Sequence, residues 1–183
     1  MKGRRPIRKT LQRFERERGG RFLTFSTRDR RPFLGHPKIR DLVVTQLMHA
    51  RSLLRFRLHG FVVMPEHVHL LITPDLEAAT VPRILNALKS PVAKTVVARW
   101  RELNAAVLAE LVDPRGVARF WQPGGGYDRN IWSRDEYFEK LGYIQANPVK
   151  RGLCARETDW AWSSARWYAG LKDEGVVIDP ETW

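Results

Sequence analysis

With 183 residues, 43% of them hydrophobic, the chain is long enough to close one packed domain and carry a short appendage. Its 32 Lys and Arg face 20 Asp and Glu, a net charge of +12, which favours a polyanionic partner: DNA, RNA or an anionic membrane. One cysteine, Cys154, excludes an intrachain disulfide framework and a cysteine zinc site and fits a reducing, cytosolic setting; no apolar run is long enough to span a bilayer.

The amino terminus, "MKGRRPIRKTLQRFERERGGR", is basic and lacks the apolar stretch of a secretory signal. With only Ile7, Leu11 and Phe14 as large apolar residues, it is a poor membrane-surface helix. Residues 1–20 are therefore read as a basic arm, rich in the arginines that suit phosphate by forked hydrogen bonds. Arg4, Arg5, Arg8 and Lys9, with Arg28, Arg30 and Arg31 beyond them, are candidate contacts to the phosphates of a nucleic acid such as DNA; the alternative is a disordered arm that only solubilises.

"RFLTFST" (21–27) alternates and is rich in Phe and Thr, so it predicts a first strand. After a loop, Pro37 opens a helix over 37–52 whose Ile39, Leu42, Val43, Leu47 and Ala50 recur at helical spacing. "LLRFRLHGFVVM" (53–64) and "HVHLLIT" (67–73) predict a strand pair, with Gly60 marking a bulge and Pro65-Glu66 a break. Thr80 is placed to cap a second helix, which Pro91 should kink or interrupt, and "RELNAAVLAELV" continues it after a break. "ARFWQ" (118–122) and "YDRNI" (127–131) predict two short strands joined by a "PGGG" hairpin turn. Ser133 and Glu136 form a capping-box pattern for a third helix, which Pro148 should end. The order β-α-β-β-α-β-β-α predicts an α+β domain: an antiparallel sheet with helices packed on it, of ferredoxin-like or RRM-like type.

Two constellations carry chemistry. Residues i and i+2 of a strand share a face, so His67 and His69 project together, followed by Leu71. Two imidazoles on one strand can chelate a divalent ion and leave positions for water or a substrate oxygen. They can equally be satisfied by backbone or by each other, and an isolated H-x-H does not decide between the two. His36, His49 and His59 are scattered and read as structural or surface residues.

On the third helix, Tyr137, Phe138, Leu141 and Ile144 cluster in one apolar arc, whereas Tyr143 falls about 200° from Leu141 on the helical wheel. Asn147, four residues on, lies beside it. A tyrosine displayed off the core face can be a nucleophile near a metal ligand, or an exposed ring lying along the surface.

Together, "FVVMPEHVHLLI", "FWQPGGGYDRNI", "YIQANPVKRGL" and "WAWSS" resemble, in order and spacing, the REP-associated tyrosine transposases, a branch of the single-tyrosine HUH (histidine, hydrophobic, histidine) transposases. The resemblance runs over residues 21–168. It implies an RRM-like HUH fold that cuts single-stranded DNA through a covalent 5′-phosphotyrosine. Residue by residue, it implies that His67 and His69 bind Mg²⁺ or Mn²⁺ and that Tyr143 is the nucleophile. Asn147 stands where related transposases use a glutamine as third metal ligand; its shorter side chain allows direct or water-mediated contact.

The implied substrates are short palindromic repeats that fold as hairpins with a single-stranded flank. On this reading 21–149 is the catalytic domain and 150–183 a C-terminal extension packed on it, whose Trp160 and Trp162 either stack on bases or pack against the core. The protein would act in the cytoplasm, on the nucleoid of a bacterial cell, as a monomer or homodimer. Two alternatives stand beside it: a non-catalytic DNA-binding regulator on the same fold, and an unrelated metal hydrolase using His67 and His69.

Overall fold

The computed structural model describes residues 19–112, 116–171 and 174–180. The first strand, β1 (Gly20–Ser26), leads through a short 3₁₀ turn into α1 (Pro37–Leu54). His36 caps α1, its Nδ1 accepting the Lys38 N–H at 3.2 Å. Strands β2 (Arg57–Val63) and β3 (His67–Thr73) follow, then α2 (Val81–Glu102), a short α3 (Val107–Leu111), β4 (Tyr127–Ile131), α4 (Arg134–Lys150) and a single turn, α5 (Ala165–Tyr168). All pairings are antiparallel, in the order β2-β3-β1-β4. The antiparallel sheet with packed helices is as expected. Among the described residues, no helix is long and apolar enough to cross a membrane.

Strand alternation divides the interior. Leu23 and Phe25 of β1, with Val68, Leu70 and Ile72 of β3, join the core beneath α1 and α2. Phe22 and Leu71 point the other way, into a second core with Tyr137, Leu141 and Ile144 of α4. His67, His69 and Leu71 alternate with the first set, so the histidines open onto the α4 side. The bulge falls where expected, the register shifting between Leu58 and Gly60. A Cβ on Gly60 would come 2.7 Å from Leu141 Cδ1, so the missing side chain is what lets α4 lie this close to β2.

Several local expectations need correction. The stretch at residues 53 and 54 completes α1 instead of opening a strand. The helix α2 runs through Pro91. Likewise α4 continues past Pro148 to Lys150; the proline removes one N–H near the helix end, and the chain closes with Arg151 N–H donating to the Asn147 carbonyl at 3.1 Å. Phe138, expected in the apolar arc, is exposed and rests edge-on against Tyr137.

The "PGGG" segment is not a hairpin turn. Trp121 bridges Thr27 and Tyr127 pairs with Thr24, so both flanks lie along the same edge of β1 and the loop between them bulges outward. Gly126 returns the chain at φ 72°, where a Cβ would sit 2.0 Å from the Thr24 carbonyl oxygen.

Gly126→Ala therefore destabilises the domain by about 1–3 kcal/mol in urea denaturation, through strained backbone and overpacking. Gly142→Ala, in the exposed middle of α4 with open space around it, raises stability by roughly 0.5–1 kcal/mol.

Candidate active site

The strand β3 places both imidazoles in the interior with their Nε2 atoms 2.9 Å apart. His67 Nδ1 lies 3.0 Å from Glu66 Oε1. An ionised carboxylate only accepts, so that nitrogen carries the proton and His67 Nε2 presents a lone pair. His69 Nδ1 is 2.7 Å from the Thr24 hydroxyl, which can donate or accept. The pair thus has two arrangements. Either His69 Nε2–H donates to His67, or His69 Nδ1–H donates to Thr24 and two lone pairs converge on one point. Burial holds the pKa of His67 below its ordinary value, with Glu66 opposing the shift. Burial, then the charges of His67 and Arg30, push His69 down to about 3. Both rings are therefore neutral at neutral pH, the form that ligates a metal.

Tyr143 reaches the same place from α4. Its ring lies 5.2 Å from that of His69, edge-on, and 6.0 Å from Phe22. It is 40% exposed, as its off-core position on the wheel predicted, and Lys150 Nζ stands 5.8 Å from its ring centre. Asn147, one turn on, is only 6% exposed, and its side-chain amide has no hydrogen-bond partner among the described residues. His67, His69, Tyr143 and Asn147 line one open cavity of about 200 Å³, rimmed by Arg30, Lys150 and Arg151.

Sequence reasoning missed the residue that ties the rim together. Glu66, read only as part of a break between strands, is buried and receives Arg151 at 2.9 Å and Arg30 at 3.3 Å on the oxygen that also meets His67. Burial opposes its charge, but His67 and Arg151 outweigh that and hold the carboxyl below its usual range. A carboxylate directly preceding a histidine pair was the available signal. Thr24, Lys150 and Arg151 carried no local pattern; their roles depend on pairing across the sheet and on the turn after α4.

The other expected contacts separate. Arg4, Arg5, Arg8 and Lys9 lie outside the described residues. Of the loop arginines only Arg30 lines the cavity. Arg28 donates to the Leu111 carbonyl at 2.6 Å and Arg31 pairs with Glu110, so both bind the loop to α3. Trp160 is 9% exposed and its Nε1 donates to the Val63 carbonyl at 3.1 Å. Trp162 Nε1 donates to Asp41 at 2.7 Å, and the Arg40 guanidinium covers its ring at 3.8 Å. Trp160 is thus packed in the core, while Trp162 is half-buried with one face covered by Arg40.

Among the described residues, no group of three or more His, Cys, Asp or Glu is placed to hold a metal ion. The donors that do converge are two imidazole nitrogens and an amide. Cis ligands of an octahedral ion with bonds of about 2.1 Å stand about 3 Å apart, close to the Nε2 separation. The unpartnered Asn147 amide supplies an oxygen in the same cavity, and the open side leaves room for water or a phosphate oxygen. The residues present therefore fit a divalent cation held by two imidazoles and an amide, with further positions left open.

The depressed His69 pKa fixes a direction with pH. The unfolded imidazole takes its proton near 6.5 while the folded one resists until about 3, so stability is fully present above about 6.5 and declines as pH falls through this window. In the metal-free protein the His69 ring, followed by NMR, should remain neutral at about pH 5; protonation near its ordinary value would contradict the burial described here.

No family model matches the chain. It is 28% identical over 109 residues to a REP-associated tyrosine transposase of Escherichia coli (strain K12), a match covering 60% of this chain and 54% of that protein. The chain thus spans about half the length of this curated relative. The fold matches a solved REP-associated tyrosine transposase bound to a REP hairpin with a TM-score of 0.60 at 21% identity, covering 96% of this chain and 94% of the other. Through the order of its motifs, its aligned sequence and its fold, the chain resembles the REP-associated tyrosine transposases.

Proposed function

We propose that the protein is a transposase that cleaves and rejoins single-stranded DNA, acting on hairpin DNA with a single-stranded flank. One observation carries the reading: a solvent-facing tyrosine ring 5.2 Å from the ring of a buried, neutral histidine, in a cavity rimmed by three cations. That combination suits a nucleophile, a Lewis acid and a phosphate better than it suits a regulator that only grips DNA. The relatives reported above, one of them bound to a REP hairpin, support the same substrate class.

His67, His69 and Asn147 would hold a Mg²⁺ or Mn²⁺ ion, which when bound polarises the scissile phosphate. Arg30, Lys150 and Arg151 attract the strand and balance its charge beside Tyr143. Tyr143 Oη forms a bond to phosphorus as the bond from phosphorus to the 3′ oxygen breaks. The phenolic proton is given up to solvent and the departing 3′ oxygen gains one. One phosphodiester replaces another, so no nucleotide triphosphate is needed, and attack by an incoming 3′-OH reverses the step and joins DNA. Glu66 keeps the proton of His67 on Nδ1 and its Nε2 lone pair turned inward.

Incubated with Mn²⁺ and a labelled hairpin carrying a single-stranded flank, the protein should become covalently attached to DNA, and Tyr143→Phe should not. Attachment that persists in Tyr143→Phe sinks the assignment; salt-sensitive binding that survives EDTA with no cut product favours the regulator. Mn²⁺ should also raise the melting temperature of the wild type but not of His67→Ala, and Glu66→Gln should weaken the metal's effect about 10- to 100-fold in concentration.

A further inference from the structure

Between β1 and α1 the chain makes a turn that its residues resist. Arg31 N–H donates to the Arg28 carbonyl at 3.1 Å, and both residues between them lie in the left-handed region, Asp29 at φ 52° and Arg30 at φ 53°. They are the only adjacent pair of non-glycine residues at positive φ among the described residues. Turns of this hand are normally built from Asn-Gly or Asp-Gly, because a side chain at the second central position crowds the backbone. Here that position carries an arginine. Backbone strain of this kind persists only where the surroundings over-determine it, and it collects at functional sites.

Thr27 N–H donates to the Glu66 carbonyl at 3.0 Å, so the turn starts from the backbone of the residue whose carboxylate takes the Arg30 guanidinium. Arg28 N–H donates to the Phe120 carbonyl at 2.9 Å and Arg31 pairs with Glu110, which fixes the two ends. Between the ends, the Asp29 N–H donates to Gln122 Oε1 at 3.0 Å. Gln122 is placed in turn by its own N–H, which donates to the Ser26 carbonyl at 2.9 Å. It does not line the cavity of the histidines; with Arg30 it lines a neighbouring one of about 210 Å³.

We infer that Gln122 is a positioning residue: by holding the Asp29 N–H it keeps the turn left-handed, and so keeps Arg30 aimed at the bound strand. Gln122 then sets the grip on the phosphate beside Tyr143, a role that rests on the DNA-cleavage reading above. An ordinary turn with both central residues at negative φ closes the same bond from Arg31 to Arg28 at lower backbone cost, but it is the mirror image and points the Arg30 side chain elsewhere. Glu66 alone is a weak tether, since the Arg30 side chain is 59% exposed and meets the carboxylate at 3.3 Å. A relaxed Asp-Gly turn would remove the strain and leave this side of the cavity without its cation.

The test uses the full chain carrying Tyr143→Phe, so that DNA is bound and not cut, and a hairpin with a single-stranded flank, read by anisotropy over a range of salt. Gln122→Ala removes no charge. It should nevertheless weaken binding about 10-fold and lower the slope of log K against log salt by roughly 0.7 to 1, as the loss of one phosphate contact does. Arg30→Ala should do the same, and the double variant no more than either. Asp29→Gly, which adopts positive φ without strain, should restore most of the affinity lost in Gln122→Ala. An unchanged salt slope, losses that add, or no rescue by Asp29→Gly overturns the inference. Covalent attachment by the unsubstituted protein separates the two readings. An adduct with additive losses removes only the positioning role, shared losses and rescue without an adduct remove only the cleavage reading, and no binding of DNA by the parent chain removes both.

Discussion

The close seating of α4 against the sheet is the constraint on which the rest depends. Gly60 has no side chain where Leu141 presses in, so α4 lies near enough to β2 and β3 for its next exposed turn to overhang the histidines. Tyr143 is two residues beyond Leu141, and Asn147 one turn further on the same face. Strand alternation sets the other half of the geometry, since the residues between the histidines and around them serve the core under α1 and α2. The site is therefore a seam between two rigid elements, where small changes in packing translate directly into the distance between Tyr143 and the histidine pair.

Electrostatics at the seam are organised by Glu66. A buried carboxylate needs partners, and it has three: one imidazole and two guanidinium groups. The arrangement makes the cationic rim and the histidine tautomer interdependent. Arg30 and Arg151 are partly exposed, so their remaining donors stay available to a phosphate while the carboxylate holds their positions. The same burial that keeps His67 and His69 neutral makes them willing ligands.

Much of this was legible in the chain. The alternating apolar pattern of 67–73 gives the shared face of the histidines, and the helical wheel places Tyr143 off the core. The sheet order and the meeting of the two constellations were not legible, because they depend on pairings between segments far apart in sequence. Proline was over-read: Pro91 and Pro148 both sit inside helices that tertiary packing sustains. The indoles of Trp160 and Trp162 could serve a base or the core equally well by type; the burial of Trp160 and its bond to Val63 tie it to the core, and Trp162 is held by Asp41 while half-buried. The loop after Trp121 looked like a hairpin because glycine-rich turns usually join neighbouring strands. Here both ends pair with β1, and the bulge makes a second cavity beside the first.

The central claim is that the tyrosine over the histidine pair is the atom that takes DNA. Peptide mapping of protein recovered from a cleavage reaction tests it most directly. Trypsin releases residues 141–150 as one peptide, bounded by Lys140 and Lys150, which contains Tyr143 and no other tyrosine. A nucleotide phosphate on that peptide, located to Tyr143 by fragmentation, is the predicted result. DNA that is cut while Tyr143 stays unmodified, or a nucleotide carried by a different residue, would contradict it.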